Sequence, residues 1–307
     1  MMRAGAREPE TPRDAGGELP YLAPMPLGLR YETVYRYDEP VRFSPHEVRL
    51  FPRADRFRRV RRYSFLAQGE PVVRYARDVF DNIVAACFFP EPMAELRLQI
   101  EIDLDLEEKD AFDFILESEA VDMPFRYDAA LTSVLQPYLQ RQTTEPLEVP
   151  GWQRPSKASP RGTVSALVAL NQAVHRCIAY ERREEGAALA PVETLRLRRG
   201  ACRDVAVLLA EILRSAGLAA RLVSGYLRET DAESRRAEGS LHAWVEVYLP
   251  GAGWVGMDGT NGVFCNHNFI AAAVGLEPAD ITPINGSYYH DAAVASTMTS
   301  RLEMLQL

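Results

Sequence analysis

"RRGACRDVAVLLAEIL", residues 198–213, puts a cysteine at the start of an apolar helix. Val205, Leu208, Leu209, Ile212, Leu213 and Ala216 recur at helical spacing and predict one buried face. Gly217 is placed to stop the helix. Cys202 falls in the first turn, just after Gly200 and Ala201. Unpaired backbone N–H groups and the positive end of the helix dipole lower a thiol pKa there. The position therefore favours thiolate, the nucleophilic form. Gly200 allows close approach of backbone or substrate. The competing reading is a buried structural thiol, since free cysteine is among the most buried residue types.

A nucleophilic thiol needs a base, and the base needs an orienting group. Three strands follow the helix: "AARLVSGYL" (219–227), "LHAWVEVYL" (241–249) and "GWVGMD" (253–258). The last two are joined through Pro250-Gly251-Ala252-Gly253 as a hairpin. His242 opens one of them and Asp258 closes the other. Neighbouring antiparallel strands can bring the two within hydrogen-bond reach, but a register slip of one residue sets them on opposite faces. The candidate site is thus Cys202 as nucleophile, His242 as general base and acid, and Asp258 as orienter. A satisfied core histidine and a turn aspartate remain open as the plainer readings.

The segment before the helix is different in kind. "LRLQIEIDLDL" (96–106) puts Leu96, Leu98, Ile100, Ile102, Leu104 and Leu106 on one face and polar residues on the other. Strict period two marks a half-solvated antiparallel strand. "LRYETVYRY" (29–37) also alternates, with Tyr31, Thr33, Tyr35 and Tyr37 on one side. An antiparallel β-sandwich over residues 27–110 is the natural reading. Residues 111–160 hold a short helix and a Pro-rich linker, and "TVSALVALNQAVHRCIAY" (163–180) is helical. The order predicts an α+β protein: a β-sandwich domain, then helices and strands over 161–277, then a strand segment over 278–307.

Composition narrows the function. Of 307 residues, 47% are apolar and 25% charged, and the net charge is −8. That suits a globular protein with a sizeable core. It argues against nucleic-acid partners, which need surplus cations, and against anionic membrane surfaces. The four cysteines, Cys87, Cys177, Cys202 and Cys265, form no CxxC pair, so a reducing, cytoplasmic compartment is expected. Residues 1–26 are polar, without an apolar signal core, and are expected to be disordered.

Three blocks in order carry a family resemblance: "GACRDVAVLLAEILRSAGLAARLVSGYL", "LHAWVEVYLPGAGWVGMD" and the "GTNG" after it. They resemble the Cys, His and Asp motifs of the transglutaminase-like superfamily, specifically its bacterial cysteine proteases. "LRYETVYRYDEPVRFSPHEVRLFPR" and "DNIVAACFFPEP" are similar to the β domain that precedes the catalytic domain in that group, and "ITPINGSYY" to its C-terminal return. The resemblance implies a papain-like core and assigns the three catalytic roles to Cys202, His242 and Asp258. It implies amide hydrolysis through a thioester, with a peptide or protein amide as substrate and no cofactor or metal. Amine in place of water would give transglutaminase chemistry. Two further readings stay open: a catalytically inactive module that binds a peptide or partner, and acyl transfer to an arylamine. The Cys202 backbone N–H is the expected oxyanion donor. The family usually has Asp-Pro-Thr where this chain has Asp258-Gly259-Thr260, so Asp258 is expected to be less rigidly aimed.

Several features admit two readings each. Asp204 and Arg203 suit a solvated first turn, or contact with substrate or with the His242 strand. Trp244 and Trp254 line the cleft or pack the sheet. Residues 228–240 form a surface loop or a movable lid. Cys265 and His267 lack a second pair with zinc-like spacing. "PRADRFRRVRR" (52–62) is a solvated strand face or an anion-binding patch. Oligomeric state is left open.

Overall fold

Leu96, Leu98, Ile100, Ile102, Leu104 and Leu106 share one face of β6 (Met93–Leu106), and each is at most 1% exposed. Burying six such side chains stabilises the fold by about 1.5–3 kcal/mol apiece. The computed structural model describes residues 24–183, 186–228 and 241–307. The expected disorder of residues 1–26 falls mostly outside these, and Met25 already opens a strand.

That strand, β1 (Met25–Phe43), lies beside β6, which in turn pairs with β3 (Arg58–Ala67). A second layer forms from β2 (His46–Val48), β4 (Val72–Arg77) and β5 (Ile83–Phe88). Leu27, Leu29 and Tyr31 meet Val48, Leu50, Phe51 and Cys87 between the layers. This is the predicted antiparallel sandwich.

The middle of the chain is not a loose linker. The short ladder of β7 (Asp122–Met123) with β8 (Arg161–Gly162) leads into the helices. Asp128 caps α1 (Ala129–Leu139) by accepting the Leu131 N–H at 2.7 Å, and Leu135, Leu147 and Val149 are buried. Helix α2 (Thr163–Cys177) buries Ala166, Leu167, Leu170 and Val174, the predicted stripe. It ends before Tyr180, earlier than predicted. The chain goes extended at Ile178, and β9 (Ala179–Tyr180) pairs in parallel with β10 (Arg199–Gly200), after α3 (Pro191–Leu197).

Helix α4 (Cys202–Ser215) packs across β11 (Ala220–Leu227) and β12 (Leu241–Leu249). Gly217, at φ +82°, closes the helix as predicted, with the Leu218 N–H returning to Leu213 O at 3.0 Å. The helix is buried on nearly every side. Glu211 and Arg214 pair within the core at 2.9 Å. The sheet runs β14 (Val263–Phe264), β13 (Gly253–Asp258), β12, β11 and β15 (Phe269–Gly275), antiparallel throughout.

The C-terminal residues return to the first domain. β16 (Ile284–Asn285) joins β2, and β17 (Tyr288–Tyr289) joins β1. β18 (Ser296–Gln306) pairs with β1 over eleven residues, from Leu27 to Tyr37. The two domains share a core: Tyr226, Ile270 and Ala272 pack with the sandwich residues, and the Tyr226 hydroxyl donates to Leu50 O at 2.7 Å. The "PRADRFRRVRR" run divides its work. Arg61 and Arg62 pair with Asp105 and Asp103 of β6, while the Arg53 N–H donates to Ala271 O at 2.8 Å and Arg58 to Phe269 O at 2.9 Å. The latter two thus tie the domains together.

Candidate active site

The register of β12 and β13 decides where the imidazole and carboxylate go. Val245 pairs with Met257, so Asp258 lies opposite Trp244, and His242 is two residues further along the same face. His242 Nε2 and Asp258 Oδ2 are 2.9 Å apart, and both side chains are fully buried. Asp258 is held below the ordinary carboxylate range. Burial opposes this, but the His242 charge and hydrogen bond, Asn261 and the Thr260 N–H outweigh it. An ionised carboxylate only accepts, so Nε2 carries the proton. His242 Nδ1 is sealed from solvent and makes no hydrogen bond. His242 and the Cys202 thiol at the tip of α4 line the same cleft.

The sulfur and the imidazole shift each other. Burial pushes the Cys202 thiol up, but the neighbouring His242 and the Ala243 backbone bring it below the ordinary thiol range. Burial pushes the His242 imidazolium down, but Asp258 and Cys202 raise its pKa to about 10. The geometry thus favours a thiolate–imidazolium pair. By contrast, burial pushes the Cys87 thiol up to about 11 and the Cys265 thiol well above its ordinary value.

Cys202 is half-buried and opens into a cleft of about 480 Å³, also lined by Tyr180, Arg182, Ala243, Tyr31 and Ile281. Tyr180 is a cleft residue that spacing did not single out. Burial raises its phenol pKa, and so does the nearby Cys202 charge.

Asp204 is fully buried rather than solvated, and it does not reach the His242 strand. Its carboxylate accepts the Ala201 N–H at 2.8 Å, the Leu189 N–H at 2.7 Å and Arg183 Nη2 at 2.7 and 2.9 Å. Ala201 has no oxygen with which to cap the helix, and Asp204 serves that end instead. Gly200 is needed here for the carboxylate, since a Cβ would lie 2.9 Å from Asp204 Cβ.

Gly259 is explained in the same way. A Cβ there would meet Val205 Cγ1 at 2.9 Å and Val174 Cγ1 at 3.2 Å. The aim of Asp258 does not depend on a proline. Its carboxylate also takes the Thr260 N–H at 2.9 Å, the Asn261 N–H at 3.4 Å and Asn261 Nδ2 at 2.7 Å. Helix α2 grips the same loop, with Asn171 Nδ2 donating to Asp258 O at 3.3 Å and to Val263 O at 3.0 Å. Gly259→Ala is expected to cost about 1–3 kcal/mol by overpacking, read by urea denaturation.

Neither tryptophan lines the cleft. Trp244 is buried against Phe269 at 5.5 Å, and Trp254 stacks with Arg221 at 4.2 Å. Cys265 is buried, and His267 Nδ1 lies 3.3 Å from the Lys109 amide nitrogen; among the described residues, no cluster of three or more His, Cys, Asp or Glu could hold a metal. Most of the loop read at 228–240 lies outside the described residues. No described helix is long and apolar enough to cross a membrane.

The cleft thus holds a thiol at a helix tip and an imidazole bound to a carboxylate from an adjoining antiparallel sheet. The chain belongs to the transglutaminase-like superfamily: that superfamily's core matches residues 152–259, which contain all three groups, and the bacterial transglutaminase-like N-terminal region matches residues 27–105. The uncharacterized protein ML0607 of Mycobacterium leprae is 29% identical over 267 residues, spanning 84% of this chain and 91% of that protein. The uncharacterized protein Rv2569c of Mycobacterium tuberculosis is 26% identical over 291 residues, spanning 90% and 91%. A solved structure from Cytophaga hutchinsonii, described as a "Putative Cysteine Protease", shares the fold with a TM-score of 0.68 at 15% identity, covering 92% of this chain and 91% of that one.

Proposed function

We propose that the protein is a cysteine-nucleophile amide hydrolase acting on peptide or protein amides. The observation that carries this reading is His242, bound through Nε2 to Asp258 at 2.9 Å with Nδ1 unengaged, in the same cleft onto which the Cys202 thiol opens. Cys202 thiolate attacks the amide carbonyl carbon, and the carbonyl oxygen takes the negative charge. The Cys202 N–H at the helix start stabilises that oxyanion, with the Tyr180 hydroxyl as second donor in this reading. His242 gives its Nδ1 proton to the leaving nitrogen, and the C–N bond breaks to a thioester. Water then loses a proton to His242 and attacks the thioester, releasing the acid and the thiolate. Transamidation would use the same acyl-enzyme with an amine in place of water. The open cleft beside Cys202 gives water access and supports hydrolysis. A reducing cytoplasm suits this chemistry, and all four cysteines are free thiols.

The test is a peptide and isopeptide library incubated with wild type and Cys202→Ala, with mass readout of acid against amine adduct. Acid product from wild type alone supports the reading. Identical, null profiles for both proteins reject it. The pH dependence of kcat/KM has a definite sign. Activity rises on the acid side below the ordinary thiol pKa, because His242 stabilises the thiolate. It falls as pH passes through about 10, where His242 loses the proton that the leaving group needs.

A further inference from the structure

The cleft that holds Cys202 does not end at the catalytic core. One wall belongs to the β domain: Tyr31 and Tyr35 on β1, with Met298 and Ser300 on β18. The register explains the wall, since Tyr35 pairs with Met298 and Thr33 with Ser300. A second cavity of about 260 Å³ shares Tyr35, Ile284 and Met298 with the first. The two cavities adjoin at these residues, the second lying along β1 farther from the thiol.

The second cavity is flanked by aromatic rings. Tyr37 meets Tyr288 edge-on at 4.9 Å and Phe43 at 5.6 Å, and Phe43 in turn lies 5.4 Å from Phe89. The residues lining this cavity carry no formal charge: phenols, hydroxyls, aliphatic groups, a thioether and His46. Burial lowers the His46 pKa, which keeps its imidazole neutral near pH 7. Such walls select against a charged ligand and favour another ring, which packs edge-to-face against them. From Tyr31 to Tyr37 the strand advances six residues, roughly 20 Å, and an extended peptide crosses that distance in about six residues.

We propose that the pocket walled by Tyr37, Tyr288 and Ser296 is a substrate subsite for an aromatic side chain of an extended peptide. The subsite lies about four to six residues from the amide attacked by Cys202. It rests on the amide chemistry proposed above, and it gives the β domain a direct role in substrate choice.

The test is a peptide series with one scissile amide, in which a single Phe is walked from two to eight residues away on either side. Each peptide is assayed for kcat/KM on wild type and for binding to Cys202→Ala by fluorescence anisotropy. Both are expected to peak on one side at four to six residues, about five- to tenfold above the Ala peptide. Tyr288→Ala, which removes a wall, and Ser296→Trp, which fills the pocket, are each expected to flatten that peak; thermal melts verify their folding. A flat profile in wild type, or a peak that persists in both variants, overturns the subsite. The two readings fail separately. Absence of cleavage across every amide tested counts against the hydrolase, while the Phe dependence of binding to Cys202→Ala still decides the subsite.

Discussion

Asp258→Asn is expected to lower turnover by about four orders of magnitude, the scale of losing the correct imidazole tautomer in a serine-nucleophile triad. The reason is specific to this site. Both carboxylate oxygens receive N–H donors: Oδ1 from Thr260 and Asn261, Oδ2 from His242 and the Asn261 amide. An asparagine must aim its NH2 at one of these groups. Turned toward His242, it demands a bare Nε2 and drives the proton onto Nδ1, where it blocks acceptance from the thiol. Turned toward Thr260, it sets two buried donors against each other. Single-turnover kinetics on a cleaved peptide measures the loss, and near-wild-type turnover in Asp258→Asn would contradict the assigned role.

Asp204→Ala is expected to destabilise the protein by about 3 kcal/mol, because it strands the buried Ala201 N–H, the part-buried Leu189 N–H and a guanidinium at once. For a chain of this size that is a fall of about 6–12 °C in Tm. The substitution also releases Leu189 and Arg183 from the start of α4, and the adjoining Ala187, Ala188 and Arg183 line the cleft. Activity is therefore expected to drop below what the folded fraction accounts for. Calorimetry beside kcat/KM separates the two effects. A melting curve unchanged from wild type would remove the clamp from the account.

What was legible in the sequence followed from periodicity. The six aliphatic residues of β6 and the apolar face of α4 from Val205 to Leu213 each repeat with the period of their element and are buried as patterned, while Ala216 falls past the helix end and is partly buried. Chain order with a helix-start thiol offered Cys202, His242 and Asp258 as candidates, and the family resemblance gave them their expected roles. Their register was not legible, because pairing is a property of two strands and neither states the other's offset. The end of α2 was misplaced since Ile178, Ala179 and Tyr180 suit a helix locally, and only pairing with Arg199 and Gly200 draws them out. Asp204 read as a first-turn charge because Leu189 and Arg183, its partners, are brought in by tertiary folding. The cleft wall was least visible of all: Tyr35 and Met298 face each other across nearly the whole chain.

The most direct test of the central claim is the pH dependence of Cys202 alkylation by iodoacetamide, mapped to the residue by peptide mass. The proximity of His242 predicts a rate profile shifted to lower pH than an ordinary thiol's, with Cys87 and Cys265 unreacted in the folded protein, and His242→Ala moving the Cys202 profile upward. A Cys202 profile that follows an ordinary thiol near pKa ~8.5, unchanged in His242→Ala, would contradict it.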